Sequence, residues 1–220
     1  REEEGNKSED YGISRETSDT GEVCMIEVEK KFQPTEEQLE KLLYGAEFLN
    51  EKEVHDVYYD FSDFRLRKKE TLLRKRGEKF ELKVYKPEVK GQSRIADEYY
   101  LEDEIKERIG VTEGSLVSII DTSMEILCDF KTLRRKYSKD GFIIDVDKTD
   151  YGFEVIEVEK EAENYESVPS VNSEILEFVR EFGIEIKDLP LKTEAYLMTK
   201  RPEVYKEIFS GRDDNYNNKA

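Results

Sequence analysis

Apolar and polar residues alternate with period two in several stretches of this chain, each bounded by turn signals. The sequence Ile-Glu-Val-Glu-Lys occurs twice, at 26–30 and at 156–160. Side chains of an extended strand point to opposite faces in turn. Ile26, Val28 and Lys30 therefore share one face, and Glu27, Glu29 and Lys31 the other. In the second copy Glu157 and Glu159 stand opposite Ile156 and Val158.

The first strand covers 23–32 and is closed by Pro34. Thr35 precedes Glu36 and Glu37, a helix start with acids in its first turn; Leu39, Leu42 and Leu43 form its stripe and Gly45 its end. Residues 46–60 are mixed. Val54, Val57, Tyr58 and Tyr59 favour a strand, with the early part open to continuation of the helix. Residues 62–66 read as a turn or short helix, and 71–76 and 79–85 as a hairpin around Gly77. On that hairpin Leu72, Arg74 and Arg76 share a face, as do Glu81, Lys83 and Tyr85.

A loop at 87–94, a strand at 95–101, an acidic helix ending at Gly110 and a short helix at 116–120 follow. Residues 124–137 form a strand with Arg134, Arg135 and Lys136 near its end. Asp140-Gly141 then signals a hairpin into 142–147, where Ile143, Asp145 and Asp147 share a face. Asp150-Tyr151-Gly152 turns the chain into the second copy. Beyond Pro169 the period becomes helical: Ile175, Leu176, Phe178, Val179 and Phe182 build one face that stops at Gly183. Residues 192–200 and 202–209 form two further helices.

About eight strands joined by turns predict an antiparallel sheet in an α+β fold, and closure into an eight-stranded β-barrel with flanking helices removes its edges. Residues 23–210 make this single domain. The acidic segment 1–22 lacks the apolar residues to offset its ordering entropy and is expected to be disordered. Residues 211–220 form a flexible tail.

Composition sharpens this picture. Charged residues make up 40% and hydrophobic ones 36%, so part of the interior must be polar. A net charge of −17 argues against a nucleic-acid binder. No apolar run is long enough to span a bilayer, and the acidic start is expected to be neither signal peptide nor transit sequence. The two cysteines, Cys24 and Cys128, read as buried thiols rather than a disulfide or half a metal site, which suits a reducing cytoplasm. The single histidine, His55, is given no catalytic role.

Two carboxylates about 4 Å apart repel by roughly 4 kcal/mol at an effective dielectric near 20. Glu pairs facing a closed interior therefore require cations, and the matching strands supply them. Glu27, Glu29, Asp145, Glu157 and Glu159 are the candidate acids; Lys31, Arg74, Arg76, Lys83 and Arg134 are the candidate bases. Carboxylate oxygens suit hard divalent ions such as Mg²⁺ or Mn²⁺, and arginine and lysine suit phosphate oxygens. Together they suit a metal-bridged polyphosphate. Solvated charged faces are the alternative.

Glu27-Val28-Glu29-Lys30-Lys31 resembles the E-x-E-x-K signature of CYTH domains, the triphosphate tunnel metalloenzymes. The likeness continues through Tyr58-Tyr59-Asp60, Leu73-Arg74-Lys75-Arg76, Glu81-Leu82-Lys83, Ile144-Asp145-Val146-Asp147 and Glu157-Val158-Glu159, and is strongest to animal thiamine triphosphatases. The resemblance implies that Glu27, Glu29, Asp145, Glu157 and Glu159 hold one or two divalent ions. Lys31, Arg74, Arg76, Lys83, Arg134 and Lys192 would hold a triphosphate, with Asp147 orienting ligands. Glu157 or Glu159 would activate water, and Lys83 would assist at the reacting phosphate. At Leu72 the chain departs from thiamine triphosphatases, which carry there a tryptophan that stacks on the thiamine ring; this chain has no tryptophan.

The implied activity is metal-dependent hydrolysis of a terminal phosphate. The substrate would be thiamine triphosphate or inorganic tripolyphosphate. Adenylyl cyclase activity and non-catalytic polyphosphate binding are the alternatives. A monomer is the simplest expectation for a site built within one chain.

Overall fold

The computed structural model describes residues 26–85 and 96–210, apart from the side chains of Ile26, Glu27 and Tyr165. The segment 1–25 with Cys24, the loop at 87–94 with Ile95, and residues 211–220 lie outside the described residues.

Eight strands form one antiparallel sheet: β1 Ile26–Phe32, β2 Glu47–Asp60, β3 Thr71–Arg76, β4 Lys79–Tyr85, β5 Ala96–Tyr99, β6 Glu125–Lys139, β7 Phe142–Thr149 and β8 Glu154–Ala162. The helices are α1 Glu36–Leu43, α2 Arg65–Lys68, α3 Glu102–Ile109, α4 Leu116–Ser123, α5 Val168–Glu181, α6 Lys192–Lys200 and α7 Pro202–Phe209. Among the described residues, no helix is long and apolar enough to cross a membrane.

The strand order is β1-β8-β7-β6-β2-β3-β4-β5. The sheet is curled but open, a half-barrel, and this corrects the closed barrel predicted from sequence. Among the described residues, β1 pairs with β8 alone, and the four-residue β5 with β4 alone. Across the curl, Tyr85 of β4 lies within electrostatic reach of Lys31 and Glu29 of β1. The physical reason lies in where the apolar residues sit. Two of three hydrophobic clusters cover the outside of the curl and the third plugs one end, so no apolar interior draws the seam together.

The first cluster packs the outer face of β1, β7 and β8 (Val28, Phe32, Ile144, Ile156, Val158) on Ile175 and Val179 of α5 and Leu42 of α1. The second backs β3 and β4, where Leu73 and Leu82 meet α3 and α4 through Ile105, Leu116 and Ile119. The third joins Tyr58, Leu72, Cys128 and Phe130 to Leu191, Leu197, Val204 and Ile208 of the α6–α7 region. Fully burying such a side chain stabilises the fold by about 1.5–3 kcal/mol.

Local chemistry agrees with these boundaries. Thr35 and Gln38 make a reciprocal capping box on α1. The early part of 46–60 is strand, and Lys139 donates to the carbonyls of Leu42 and Tyr44 just before it, at 2.8 and 2.9 Å. Asp140 (φ 50°) and Gly141 (φ 80°) both adopt positive φ, as a two-residue type I′ hairpin turn requires. That turn sets the β6–β7 register, bringing Arg134 opposite Asp147 and Lys136 opposite Asp145.

Candidate active site

The concave face of the sheet is lined by charge. On β1 and β8, Glu29 lies opposite Glu159 and Lys31 opposite Glu157. Carboxylate oxygens of Glu29, Glu157 and Glu159 come within 4.8 Å of one another. Lys31 bridges two of these acids, pairing with Glu29 and, at 3.2 Å, with Glu157. These oxygen donors fit a hard divalent cation.

Beside this acidic corner, Arg134 of β6 reaches three carboxylates: Asp145 at 2.6 Å, Asp147 at 2.6 Å and Glu157 at 2.5 Å. Lys136, two residues along, contacts Asp145 at 2.9 Å and Glu159 at 3.3 Å. Lys192, the first residue of α6, enters from the plugged end and meets Asp147 and, at 2.9 Å, Glu157. On the opposite wall, Arg76 forms a two-pronged pair with Asp56 at 2.6 Å. Arg74 donates to Glu81 at 2.6 Å. Lys83 pairs with Glu98 of β5 and lies 3.6 Å from Glu81. Arg76, Arg134, Asp147, Lys192, Val54 and Thr132 line a small, half-open pocket of about 10 Å³ between the walls.

These contacts set the charge states. Burial works against ionised Glu157, but Lys31, Lys192 and Arg134 overcome it and hold the carboxyl well below its ordinary range. Burial also works against the Lys31 ammonium, and Glu157 and Glu29 outweigh it and hold the group above the usual lysine value. Lys83 is raised against the same opposition by Glu98, Tyr85 and Glu81.

A pH dependence follows. A carboxyl lowered by folding stabilises the protein above its unfolded pKa, about 4.3 for glutamate, and loses that contribution as pH falls toward the folded value. A lysine raised by folding contributes fully below about pH 10.4 and loses its contribution above it. The urea midpoint of metal-free protein is therefore expected to hold from about pH 5 to 9 and to fall on both sides. A midpoint that stays level to pH 3 would remove the ion pairs of Glu157 from the account of stability.

Of the residues predicted from sequence, the fold brings Glu29, Lys31, Arg74, Arg76, Lys83, Arg134, Asp147, Glu157, Glu159 and Lys192 onto this one concave surface. Glu27 pairs in register with Glu161, but its side chain lies outside the described residues. Asp145 lies on the same surface, opposite Glu157 in register, but is fully buried between Arg134 and Lys136 and not in the Glu29–Glu157–Glu159 oxygen group. Lys136, Asp56 and Glu98 were missed as site residues. Period two running on from Arg134 already points to Lys136, whereas Asp56 and Glu98 become visible only when β2 is set beside β3, and β5 beside β4. His55 lies half-exposed against Asp129 at 2.6 Å, and Cys128 is a buried free thiol.

A CYTH domain model matches residues 25–193 of the chain. CYTH domains are often enzymes acting on triphosphates. Among solved structures, a Pyrococcus horikoshii protein superposes with a TM-score of 0.55 at 19% identity, covering 78% of this chain and 97% of its own. A Bacillus halodurans protein provisionally assigned as an adenylate cyclase gives 0.49 at 21% identity, covering 78% and 97%. A Hippeastrum protein, provisionally an adenylyl cyclase and described as revealing a dominant triphosphatase activity, gives 0.48 at 20% identity, covering 83% and 95%.

Proposed function

The chain belongs to the CYTH domain family, and on that premise we propose that it hydrolyses the terminal phosphoanhydride of a small triphosphate, with Mg²⁺ or Mn²⁺ as cofactor. One observation carries the reading: an all-oxygen acidic corner, Glu29, Glu157 and Glu159, adjoins bases that converge from β3, β4, β6 and α6. A solvated surface has no need of buried carboxylates, and a plain anion site gains nothing from them.

In this proposal Glu29, Glu157 and Glu159 hold the cation, with Glu27 following on β1 by strand period. Once bound, the ion would supply charge neutralisation for the triphosphate. Lys31, Arg74, Arg76, Lys83, Arg134 and Lys192 take the triphosphate. Each of these bases is paired with a carboxylate, so substrate binding is a change of partners. Phosphate oxygens would draw Arg134 and Lys192 from Glu157, leaving its carboxylate available to help hold the ion. Asp145 and Asp147 keep Arg134 oriented during the exchange. Lys83 and the two arginines of β3 neutralise the charge that spreads over the transferred phosphoryl group. Glu157 or Glu159 orients and deprotonates the attacking water.

The substrate follows from Leu72. It is 4% exposed, enclosed in the cluster under α6 and α7. A side chain enclosed there offers no platform for a thiamine ring, which favours inorganic tripolyphosphate over thiamine triphosphate.

The test is phosphate release from tripolyphosphate, thiamine triphosphate and ATP in parallel, with each metal, using Glu29→Gln as the blank. A kcat/KM for tripolyphosphate about tenfold or more above the others is expected, the scale on which a missing apolar contact discriminates. Preference for thiamine triphosphate would overturn the reading of Leu72. Cyclic AMP and pyrophosphate from ATP would make the chain a cyclase. Binding without turnover under either metal would make it a polyphosphate-binding module.

A further inference from the structure

Behind the plugged end of the curl lies a second charged network, which the proposed chemistry does not use. Arg67 of α2 is 0% exposed and Glu194 of α6 is 5% exposed. The guanidinium donates to Glu194 at 2.5 Å and to Glu70 at 2.7 Å. The other oxygen of Glu194 accepts from the Leu191 backbone N–H at 2.8 Å. That bond closes the first turn of α6, the turn that carries Lys192. The network is anchored in turn: Asp60, also buried, accepts from the N–H groups of Phe61, Leu66 and Arg67 at 2.8, 3.0 and 2.8 Å. From the other side, the Tyr151 hydroxyl donates to the Lys192 carbonyl at 2.6 Å.

We propose that Arg67 and Glu194 are positioning residues that lock the start of α6 and thereby hold the Lys192 ammonium against Asp147 and Glu157. A lysine side chain is long and has many rotamers, so a helix start free to shift would spread its ammonium over many positions. A buried ion pair is at best a weak source of net stability. This one joins α2 to the residue two positions beyond Lys192. Its carboxylate serves both the partner helix and the backbone that presents the lysine. Arg67 and Glu194 act through Lys192 and touch neither phosphate nor metal. That Lys192 works on a triphosphate rests on the function proposed above; its placement does not.

The experiment is competitive acetylation of the intact 220-residue chain without metal or substrate, with each lysine's rate read by mass spectrometry. In Glu194→Gln, Lys192 is expected to react about tenfold faster, the lower end of what lost orienting contacts cost at ligand sites, while Lys83, on the far wall, keeps its rate. Equal acceleration of both lysines would mean general loosening, and unchanged rates would mean no coupling; either overturns the proposal. Should Glu194→Gln fail to fold, the Arg67→Met, Glu194→Gln double variant, which removes both buried charges, is read in the same way.

Tripolyphosphate binding by calorimetry completes the test. Glu194→Gln is expected to weaken it about tenfold and to add no further loss to Lys192→Met. A full additional loss in that background would place Glu194's effect elsewhere and overturn the proposal. Wild-type protein that binds no tripolyphosphate would overturn the function proposed above, while the acetylation rates still decide the placement of Lys192.

Discussion

Arg134→Leu is expected to lower the unfolding free energy of the metal-free protein by about 3–5 kcal/mol, the usual consequence of removing one partner from a buried ion pair. The arginine meets Asp145, Asp147 and Glu157 at 2.5–2.6 Å. Asp145 and Asp147 are essentially unexposed, so neither can turn to water when the guanidinium is lost. Lys31, Lys136 and Lys192 then carry the three carboxylates, although Lys31 and Lys136 also pair with Glu29 and Glu159. Against a typical domain stability of about 5–15 kcal/mol, such a loss is large. Urea unfolding at pH 7 measures it. The gap to wild type is expected to narrow toward pH 4, where Glu157, having lost one of the three bases that hold its carboxyl low, takes up a proton more readily than in wild type. A variant whose midpoint matches wild type would show that the three lysines neutralise the corner unaided.

The second large effect is on turnover. Glu157→Gln is expected to cut tripolyphosphate kcat by about a thousandfold, roughly 4 kcal/mol of barrier. Among the described residues, Glu157 belongs both to the acidic group that fits a cation and to the ion pairs of Lys31, Arg134 and Lys192. Removing its charge weakens the cation site yet leaves the three bases with one carboxylate fewer to compete with phosphate. Tripolyphosphate affinity in the absence of metal should therefore hold or rise while hydrolysis collapses. Calorimetry with Mn²⁺ and with tripolyphosphate, beside phosphate release, separates these outcomes. Turnover within tenfold of wild type would remove Glu157 from the cation site. Loss of anion affinity in step with turnover would instead mean that Glu157 orients the bases.

The pattern of the chain already carried much of this site. Period two placed Glu29 with Lys31, Arg74 with Arg76, Asp145 with Asp147 and Glu157 with Glu159, because alternation in a strand is a local property of an extended backbone. Turn residues such as Asp140-Gly141 marked where strands reverse, again by local φ preference. The apolar residues of α5 likewise announced an amphipathic helix with one covered face.

Other features needed the assembled sheet. The curl stays open because its apolar clusters lie outside and at one end, a distribution that no single strand reveals. Asp145 shares a face with Glu157, its partner across β7 and β8, yet sits with Arg134 and Lys136 because the β6–β7 register sets Lys136 opposite Asp145 and Arg134 opposite Asp147. Asp56 joined Arg76, and Glu98 joined Lys83, only through neighbouring strands. Arg67 and Glu194 lie 127 positions apart in the chain; nothing near either residue points to the other. The sequence by itself determined which side chains share a face, since that depends on backbone geometry one residue at a time. Tertiary structure alone decided which acid meets which base, since ion pairing falls off with distance through space and is indifferent to distance along the chain.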